Sequence, residues 1–581
     1  MKYLYNLKFC KYNFITKNQF RKKFSCDIFC RKYGISVSSG KPVYENAIKY
    51  WDKIATEDVN GKYAYKDIYC KSSQLSESLE ALLGKHKQQR IALLLPNDVS
   101  YIISQWAAWK VGHIVVPLHA THPESQLKYY VEDSKSSLII TNGELAAKFS
   151  SFLAGKQVIV LDRFLPFSDD EKQLNCLKPE ENLYQQSDEE KIIQKDSSAL
   201  MIHTSGTTGP PKGVVLTHGN IQSQVQSINT AWELTSNDVL LHCLPLNHVH
   251  GIVNALLCPL YCGAKVVMEP HFSASSVWSK LLNLNPEVSS RVNLLMAVPT
   301  IYAKLIDEYE TSFVNDNRRR EFVKKVCVEN VRLMVSGSAP LPEPLLQKWR
   351  QITGHTLLER YGMTEIGMAL TNPLKGERIP GFVGKPFPGV RVKVARFSPK
   401  RDAYETLCEG THEGTSVAPG FKGEAGELLV KGPNVFREYW QREEATKKEF
   451  TKDGWFCTGD TAAYIDGSYK ILGRTSVDII KSGGFKVSAL DVERQLLSHP
   501  GIVDVAVVGV PDMTWGEKIG CVVVWKGEAV LDLATLREWA KERLPHYQVP
   551  SALKVLPDAL PRNNMGKVNK KELLKQYFKK T

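Results

Sequence analysis

The apolar positions fall into short runs separated by amphipathic stretches. RIALLLPN, residues 90–97, is continuously apolar and stops at Pro-Asn, the pattern of a strand buried on both faces of a parallel sheet. SYIISQWAAWKVG then predicts a helix stopped by Gly112. HIVVPL and SSLIIT predict further strands with a helix between them, and VRLMVSGSAP continues the alternation past residue 330. Strand alternating with helix predicts α/β sheets joined by crossovers. Upstream, Val43, Ala47, Ile48, Trp51 and Ile54 recur at helical spacing. Residues 396–424 are polar and rich in Gly and charge, which predicts a surface excursion. Near residue 473 the texture changes. GRTSVDIIKSGGFKV is followed by a helix from Leu490 to Ser498, the strands IVDVAVVGV and IGCVVVWK, and a helix with Leu533, Leu536, Ala540 and Leu544 on one face. This predicts a small α+β unit whose boundary lies near 474–478.

Length adds the expectation of several units: 581 residues at ~150 per domain is roughly four domains or subdomains. Hydrophobic content of 43% and charged content of 24% are ordinary for globular chains. No apolar run approaches the ~18 residues of a membrane span, so no transmembrane segment is expected. The net charge of +13 is uneven, because residues 1–26 hold seven Lys/Arg and no acid, leaving +6 for the rest. That remainder is too mild to argue for nucleic acid. The basic arm also carries Tyr3, Tyr5, Phe9, Tyr12, Phe14, Phe20 and Phe24. Residues 1–38 are therefore read as a transit peptide for the mitochondrial matrix, although Lys outnumbers Arg and Ser is scarce; a disordered basic tail and a cytosolic protein are the alternative. Twelve scattered cysteines without a CxxC pair imply thiols in a reducing compartment rather than a disulfide framework.

Candidate chemistry starts at HTSGTTGPPKGV, residues 203–214. Gly206, Gly209 and Gly213 let backbone approach a ligand closely and take positive φ. Exposed N–H groups in such a turn form an anion nest, Thr204, Ser205, Thr207 and Thr208 add hydroxyl donors, and Lys212 adds a positive charge. The loop reads as a polyphosphate site, against the alternative of a Gly/Thr-rich surface turn. It is not a Walker A loop, which needs Gly directly before the Lys and Ser or Thr after it; here Pro210 and Pro211 precede Lys212 and Gly213 follows.

Four more segments share that theme. LERYGMTEIG places Tyr361, Gly362, Thr364 and Glu365 around a turn, with Glu365 a candidate Mg²⁺ ligand beside phosphates. GWFCTGDTA brings Asp460, suited to accept from ribose hydroxyls, LGRTSVDIIK brings Arg474, and LPRNNMGKVNKKEL brings Lys567. In this order the set resembles the adenylate-forming superfamily of acyl-CoA synthetases, adenylation domains and luciferases, from about residue 43 to 577. The resemblance implies an α/β fold. A large N-terminal domain of α/β sheets with a β subdomain, residues 39–473, precedes a small mobile α+β C-terminal domain, residues 474–581, carrying Lys567. It implies an ATP site formed by residues 204–212, Tyr361, Gly362, Asp460, Arg474 and Lys567. It also implies a catalytic group of Lys567, Lys212, Glu365 and Thr364, and Mg²⁺, ATP and coenzyme A as cofactor and substrates. ATP and a carboxylate give an acyl-adenylate and pyrophosphate, and a thiol then takes the acyl group. In relatives the pivot between the steps lies two residues after the Arg of GR. Here one extra residue precedes Asp478, so Ser476 and Val477 are both candidates. Gly483 and Gly484 are candidates to let a pantetheine arm pass, against a plain tight turn.

Arg360 directly precedes YGMTE and Lys304 lies in VPTIYAKLI. A fatty-acid pocket would be apolar there, because a buried unpaired cation is expensive. Cations point to an acid with a second carboxylate, which Arg captures bidentately. ERYGMTE, PTIYAK and GRTSVDIIKSGGFKVSALDVE are similar to the malonyl-CoA synthetases, including a mitochondrial branch. That resemblance implies that His250, Lys304, Ser338 and Arg360 hold the free carboxylate of malonate, with methylmalonate possible in the same pocket; a buried, backbone-bonded His250 is the bland alternative. Arg291 and Arg378 are weaker candidates. A medium- or long-chain acyl-CoA synthetase and a non-catalytic nucleotide-binding scaffold are the competing functions. No carrier-protein module is expected, since the chain ends soon after Lys567.

Overall fold

The computed structural model describes residues 42–84, 86–161, 195–204, 210–284, 291–313, 316–398, 403–527, 530–562 and 568–578. The basic arm, residues 205–209 of the glycine loop, and Lys567 lie outside them.

Two largely parallel sheets and one antiparallel sheet share a single apolar core. Its buried residues run from Val43 to Tyr469. The nine-stranded sheet runs, edge to edge, through Lys385–Pro386, Gly367–Thr371, Leu358–Met363, Leu333–Ser336, Leu294–Ala297, Val239–His242, Lys265–Met268, Ile54–Asp58 and Gly61–Ala64. The strands Leu294–Ala297, Leu333–Ser336 and Leu358–Met363 are parallel, with Ser336 opposite Glu359. Their carboxyl ends therefore emerge together, where α/β sheets build ligand crevices. The seven-stranded sheet runs Glu438–Tyr439, Lys212–Thr217, Ser198–Thr204, Ile114–Pro117, Arg90–Leu94, Leu138–Asn142 and Val158–Leu161. Val99–Lys110 is a helix, capped by Asp98 and followed by Gly112 at φ +74°.

Two expectations about secondary structure are corrected. Val43–Tyr50 is a 3₁₀ helix, and Ile54 opens a strand and is 37% exposed, so the helical spacing breaks before residue 54. Residues 396–424 are no excursion. Arg391–Ser398, Ala403–Gly410 and Thr415–Val417 are antiparallel strands of a six-stranded sheet completed by Ala425–Lys431, Phe456–Ile465 and Ser468–Arg474. Solvent on the strands' outer faces explains their polarity.

The six-stranded sheet ends at Arg474 and the next strand begins at Ile479. It belongs to a five-stranded sheet of Phe485–Ser488, Ile479–Ser482, Gly516–Trp525, Ile502–Asp512 and Ala552–Leu556. This sheet has its own core, including Ile480, Val492, Leu536 and Leu544. Seven of the eight described cysteines are free thiols; Cys70 is disulfide-bonded, against the expectation of thiols throughout. No helix among the described residues is long and apolar enough to cross a membrane.

Candidate active site

Strands Ser198–Thr204 and Lys212–Thr217 pair antiparallel, with Thr204 opposite Lys212. Thr204 Oγ1 reaches the Lys212 carbonyl at 3.4 Å. Pro210 and Pro211 lead into the strand at Lys212; Ser205, Gly206, Thr207, Thr208 and Gly209 lie outside the described residues. Glu438–Tyr439 pairs with the same strand and puts Tyr439 opposite Val214. The Lys212 ammonium lies 4.3 Å from the Tyr439 ring centre and 3.8 Å from Glu449. Tyr439 in turn donates its hydroxyl to Glu365 at 2.9 Å.

Glu365 and Thr364 lie in the turn of the hairpin Leu358–Met363 and Gly367–Thr371. Gly362 is packed so tightly that a Cβ would lie 2.1 Å from the Gly367 carbonyl. Glu365 is 6% exposed, and burial raises its carboxyl above the usual range against the Tyr439 bond. Among the described residues no Lys or Arg forms an ion pair with it. A buried carboxylate with one neutral donor, Tyr439, whose ring lies under Lys212, is a donor set that fits a hard divalent cation. No cluster of three metal-ligating side chains exists among the described residues, so phosphate oxygens and water would complete the shell.

Asp460 lies mid-strand in Phe456–Ile465, directly opposite Arg474. Arg474 Nε is 2.9 Å from its carboxylate, and the Tyr361 hydroxyl donates to its other oxygen. Arg474 also donates to the Thr458 carbonyl at 2.6 Å. Burial opposes the Arg474 charge, but Asp460 first, then Tyr361, Glu365 and Tyr439, hold its pKa above the ordinary value. Gly483 and Gly484 form a hairpin turn at φ +56° and +85°. The Trp515 ring lies against Gly483, while Gly484 has no neighbour in the way of a side chain.

The second cluster sits at the carboxyl ends of the parallel strands. Ser338, at φ +70°, follows strand Leu333–Ser336, and Arg360 lies on the neighbouring strand. His250 opens a π-helical segment, His250–Leu257. Arg360 Nη2 donates to Ser338 Oγ at 3.4 Å, and Ser338 Oγ is 3.3 Å from His250 Nδ1. Arg360 and His250 are 4% and 3% exposed, yet Arg360 Nε and His250 Nε2 have no hydrogen-bond partner among the described residues. Burial pushes Arg360 down to about 9 and His250 well below its usual range, Arg360 itself adding to the latter. The backbone-bonded histidine of this region is His242, with Nε2 3.0 Å from the Gly251 carbonyl. Lys304 differs from the expectation. It is exposed on helix Pro299–Ser312, its ammonium 5.8 Å from the Phe272 ring centre, and it shares no hydrogen bond with the other three. Its helical position turns it outward, while Tyr302 fills the core and donates to the Val335 carbonyl. Arg378 is spent on the carbonyls of Pro373, Thr356 and Leu374, and Arg291 is exposed.

Tyr439 and Thr458 escaped sequence reasoning. A tyrosine in FREYW carries no spacing signal, although Thr458 stood in view within CTGD.

A nucleotide-type site on an α/β body, followed by a small α+β unit, defines a nucleotide-dependent acid-activating enzyme. The chain belongs to the AMP-binding enzyme family: that family's model matches residues 43–440, and the AMP-binding enzyme C-terminal domain matches residues 491–567. It is 50% identical over 543 residues to the mitochondrial malonate–CoA ligase ACSF3 of Bos taurus, covering 92% of this chain and 90% of the bovine one. ATP-bound MatB from Rhodopseudomonas palustris superposes with a TM-score of 0.74 at 28% identity, covering 93% of this chain and 99% of that one. A malonyl-CoA ligase ternary product complex with methylmalonyl-CoA and AMP gives a TM-score of 0.58 at 31% identity, covering 88% and 97%.

Proposed function

We propose that this protein ligates malonate to coenzyme A at the expense of ATP, through malonyl-adenylate, giving malonyl-CoA, AMP and pyrophosphate. A malonate carboxylate oxygen attacks the α-phosphorus, the bond to the β-phosphate oxygen breaks, and pyrophosphate leaves. The sulfur of coenzyme A then attacks the acyl carbon, AMP leaves with the bonding electrons, and the thiol proton is released. The observation that carries the diacid is the buried Arg360 guanidinium, which has no carboxylate partner among the described residues and shares Ser338 with the orphaned nitrogen-bearing His250. A buried cation needs an anion, and a dicarboxylic acid brings one.

In this reading Asp460 accepts from the ribose hydroxyls, with Arg474 and Tyr361 holding its orientation. Lys212 and the glycine loop face the phosphates. Lys567, assigned by resemblance, contacts the reacting carboxylate and α-phosphate. Mg²⁺ held by Glu365 would screen the charge of the phosphates, easing attack of one anion on another. Methylmalonate is a second substrate in the same pocket, in line with the methylmalonyl-CoA held by the malonyl-CoA ligase complex. The location we infer is the mitochondrial matrix, as the bovine relative's name and the basic arm both support.

The test is pyrophosphate release with a panel of acids, each with and without coenzyme A. Malonate is expected far above acetate, butyrate or palmitate, approaching ~10⁴-fold where unmatched buried polar groups reject the monoacid. Palmitate as the better substrate would refute the diacid assignment. Arg360→Ala should lose most of that preference. Lys567→Ala should lose adenylate formation by roughly 10²-fold or more yet still convert pre-made malonyl-adenylate.

A further inference from the structure

One helix grips both flanks of the glycine loop. His203 immediately precedes Thr204, and its ring stacks on Tyr130 at 4.4 Å between centroids. Its Nε2 lies 3.0 Å from Asp133 Oδ2. On the far flank the Tyr129 hydroxyl donates to the Pro211 carbonyl at 2.7 Å. Tyr129, Tyr130 and Asp133 all belong to helix Glu124–Ser134. A third segment meets them: Arg442, which precedes helix Glu443–Lys448, donates from Nη2 to Asp133 Oδ1 at 2.7 Å and to the Tyr129 hydroxyl at 3.3 Å. Arg442 follows Tyr439, the residue under Lys212 and against Glu365. The side chains of His203 and Asp133 are 2% and 13% exposed. Burial alone would raise the Asp133 carboxyl, but the His203 and Arg442 donors hold it below the usual range.

We propose that Asp133 is the positioning residue for the triphosphate. It ties the residue entering the glycine loop, the helix that holds the residue leaving it, and the Tyr439 segment into one brace. The proposal rests on the reading of residues 204–212 as the phosphate site. Glycine brings no side-chain packing of its own, so a phosphate-binding loop that contains Gly206 and Gly209 is preorganised only as far as its ends are. Charge-assisted bonds to a largely buried carboxylate are short and stiff enough to set that spacing. Asp133 touches neither substrate nor reacting atoms in this arrangement.

The two half-reactions separate such a role from mere stability. The β- and γ-phosphates leave as pyrophosphate after the first, so thioester formation from malonyl-adenylate has no use for the brace. The experiment takes the full chain, Asp133→Asn and Tyr129→Phe, and follows malonate-dependent pyrophosphate release against ATP, then AMP release from malonyl-adenylate plus coenzyme A. Asp133→Asn is expected to raise the KM for ATP about tenfold, the loss of a charge-assisted contact, and Tyr129→Phe about threefold. The KM for malonate and the adenylate-to-thioester rate should stay within about twofold of wild type. Both half-reactions falling in proportion, or an unchanged KM for ATP in an active enzyme, overturns the brace. Should Asp133→Asn not fold, Tyr129→Phe, which removes a single hydroxyl, decides the question. A wild-type chain releasing no pyrophosphate with any acid instead overturns the ligase reading on which this one stands.

Discussion

A methyl group on Gly337 would lie 2.4 Å from Arg360 Cζ, closer than atoms can approach, because the guanidinium rests directly on that backbone. The next residue, Ser338, takes a left-handed φ of +70° that side chains rarely adopt. Such strain costs on the order of 1–3 kcal/mol and persists where the surroundings hold it in place. Here it aims Oγ between His250 and Arg360. Gly337→Ala should therefore push the guanidinium aside. We expect the KM for malonate to rise at least about tenfold with the KM for ATP unchanged, since only the acid end is disturbed. Steady-state kinetics with each substrate varied in turn checks this; equal loss toward both substrates would point to a general defect.

Lys570 shows how one side chain organises the small unit. Its ammonium sits between Asp478 at 2.5 Å and Glu493 at 2.6 Å, with only 11% of the side chain exposed. Lys570→Met would leave two buried carboxylates facing each other. A loss of about 3–5 kcal/mol is expected for breaking a buried ion group on one side, read by chemical denaturation of the full chain. An unchanged midpoint would show the carboxylates to be solvated or protonated. Nothing in the sequence marked this lysine, which stands in the solvated-looking run NKKEL. The strands were legible where they are apolar on both faces, as in RIALLLPN. The antiparallel strands between 391 and 417 were not, because one face is wet and their polar positions imitate a loop. The same asymmetry governs the site. Asp460, Arg474 and Glu365 stood out because glycine turns and charge are rare together. Tyr439 and Asp133 did not, because an isolated Tyr or Asp has no local pattern and acquires its partners only by folding.

For the whole molecule, buried titratable groups set the response to acid. Burial lowers His113, His119, His218 and His242 to about 4 from 6.5, the neighbouring Lys87 and Arg90 adding to the first and His122 and His271 to the second. Between about pH 6.5 and 4 the unfolded chain binds their protons and the folded chain does not, so stability falls as pH falls. Asp98, raised to about 6, and Glu359, raised to about 7, work in the opposite sense, their burial favouring the folded state toward acid. His250, His122, His355 and His499 are lowered as well, and with them the histidines outweigh the raised carboxyls, Glu365 and Glu493 included, so the melting temperature is expected to drop steadily from pH 6.5 to 4.5. Scanning calorimetry across that interval checks the sign; a rise toward acid would contradict it.

Asp478 has a further consequence at this scale. Its Oδ1 takes Lys570, while its Oδ2 accepts the backbone N–H of Arg474 at 2.9 Å, on the other side of residues 476 and 477. If the chain swivels there between activating the acid and delivering it to the thiol, the first of these bonds travels with the moving part and the second must snap. Every turnover then breaks and remakes the bonds that cross there, this one and the Asp478 N–H to the Arg474 carbonyl at 2.7 Å among them, so the exchange of those two amide protons would run as a clock on the catalytic cycle.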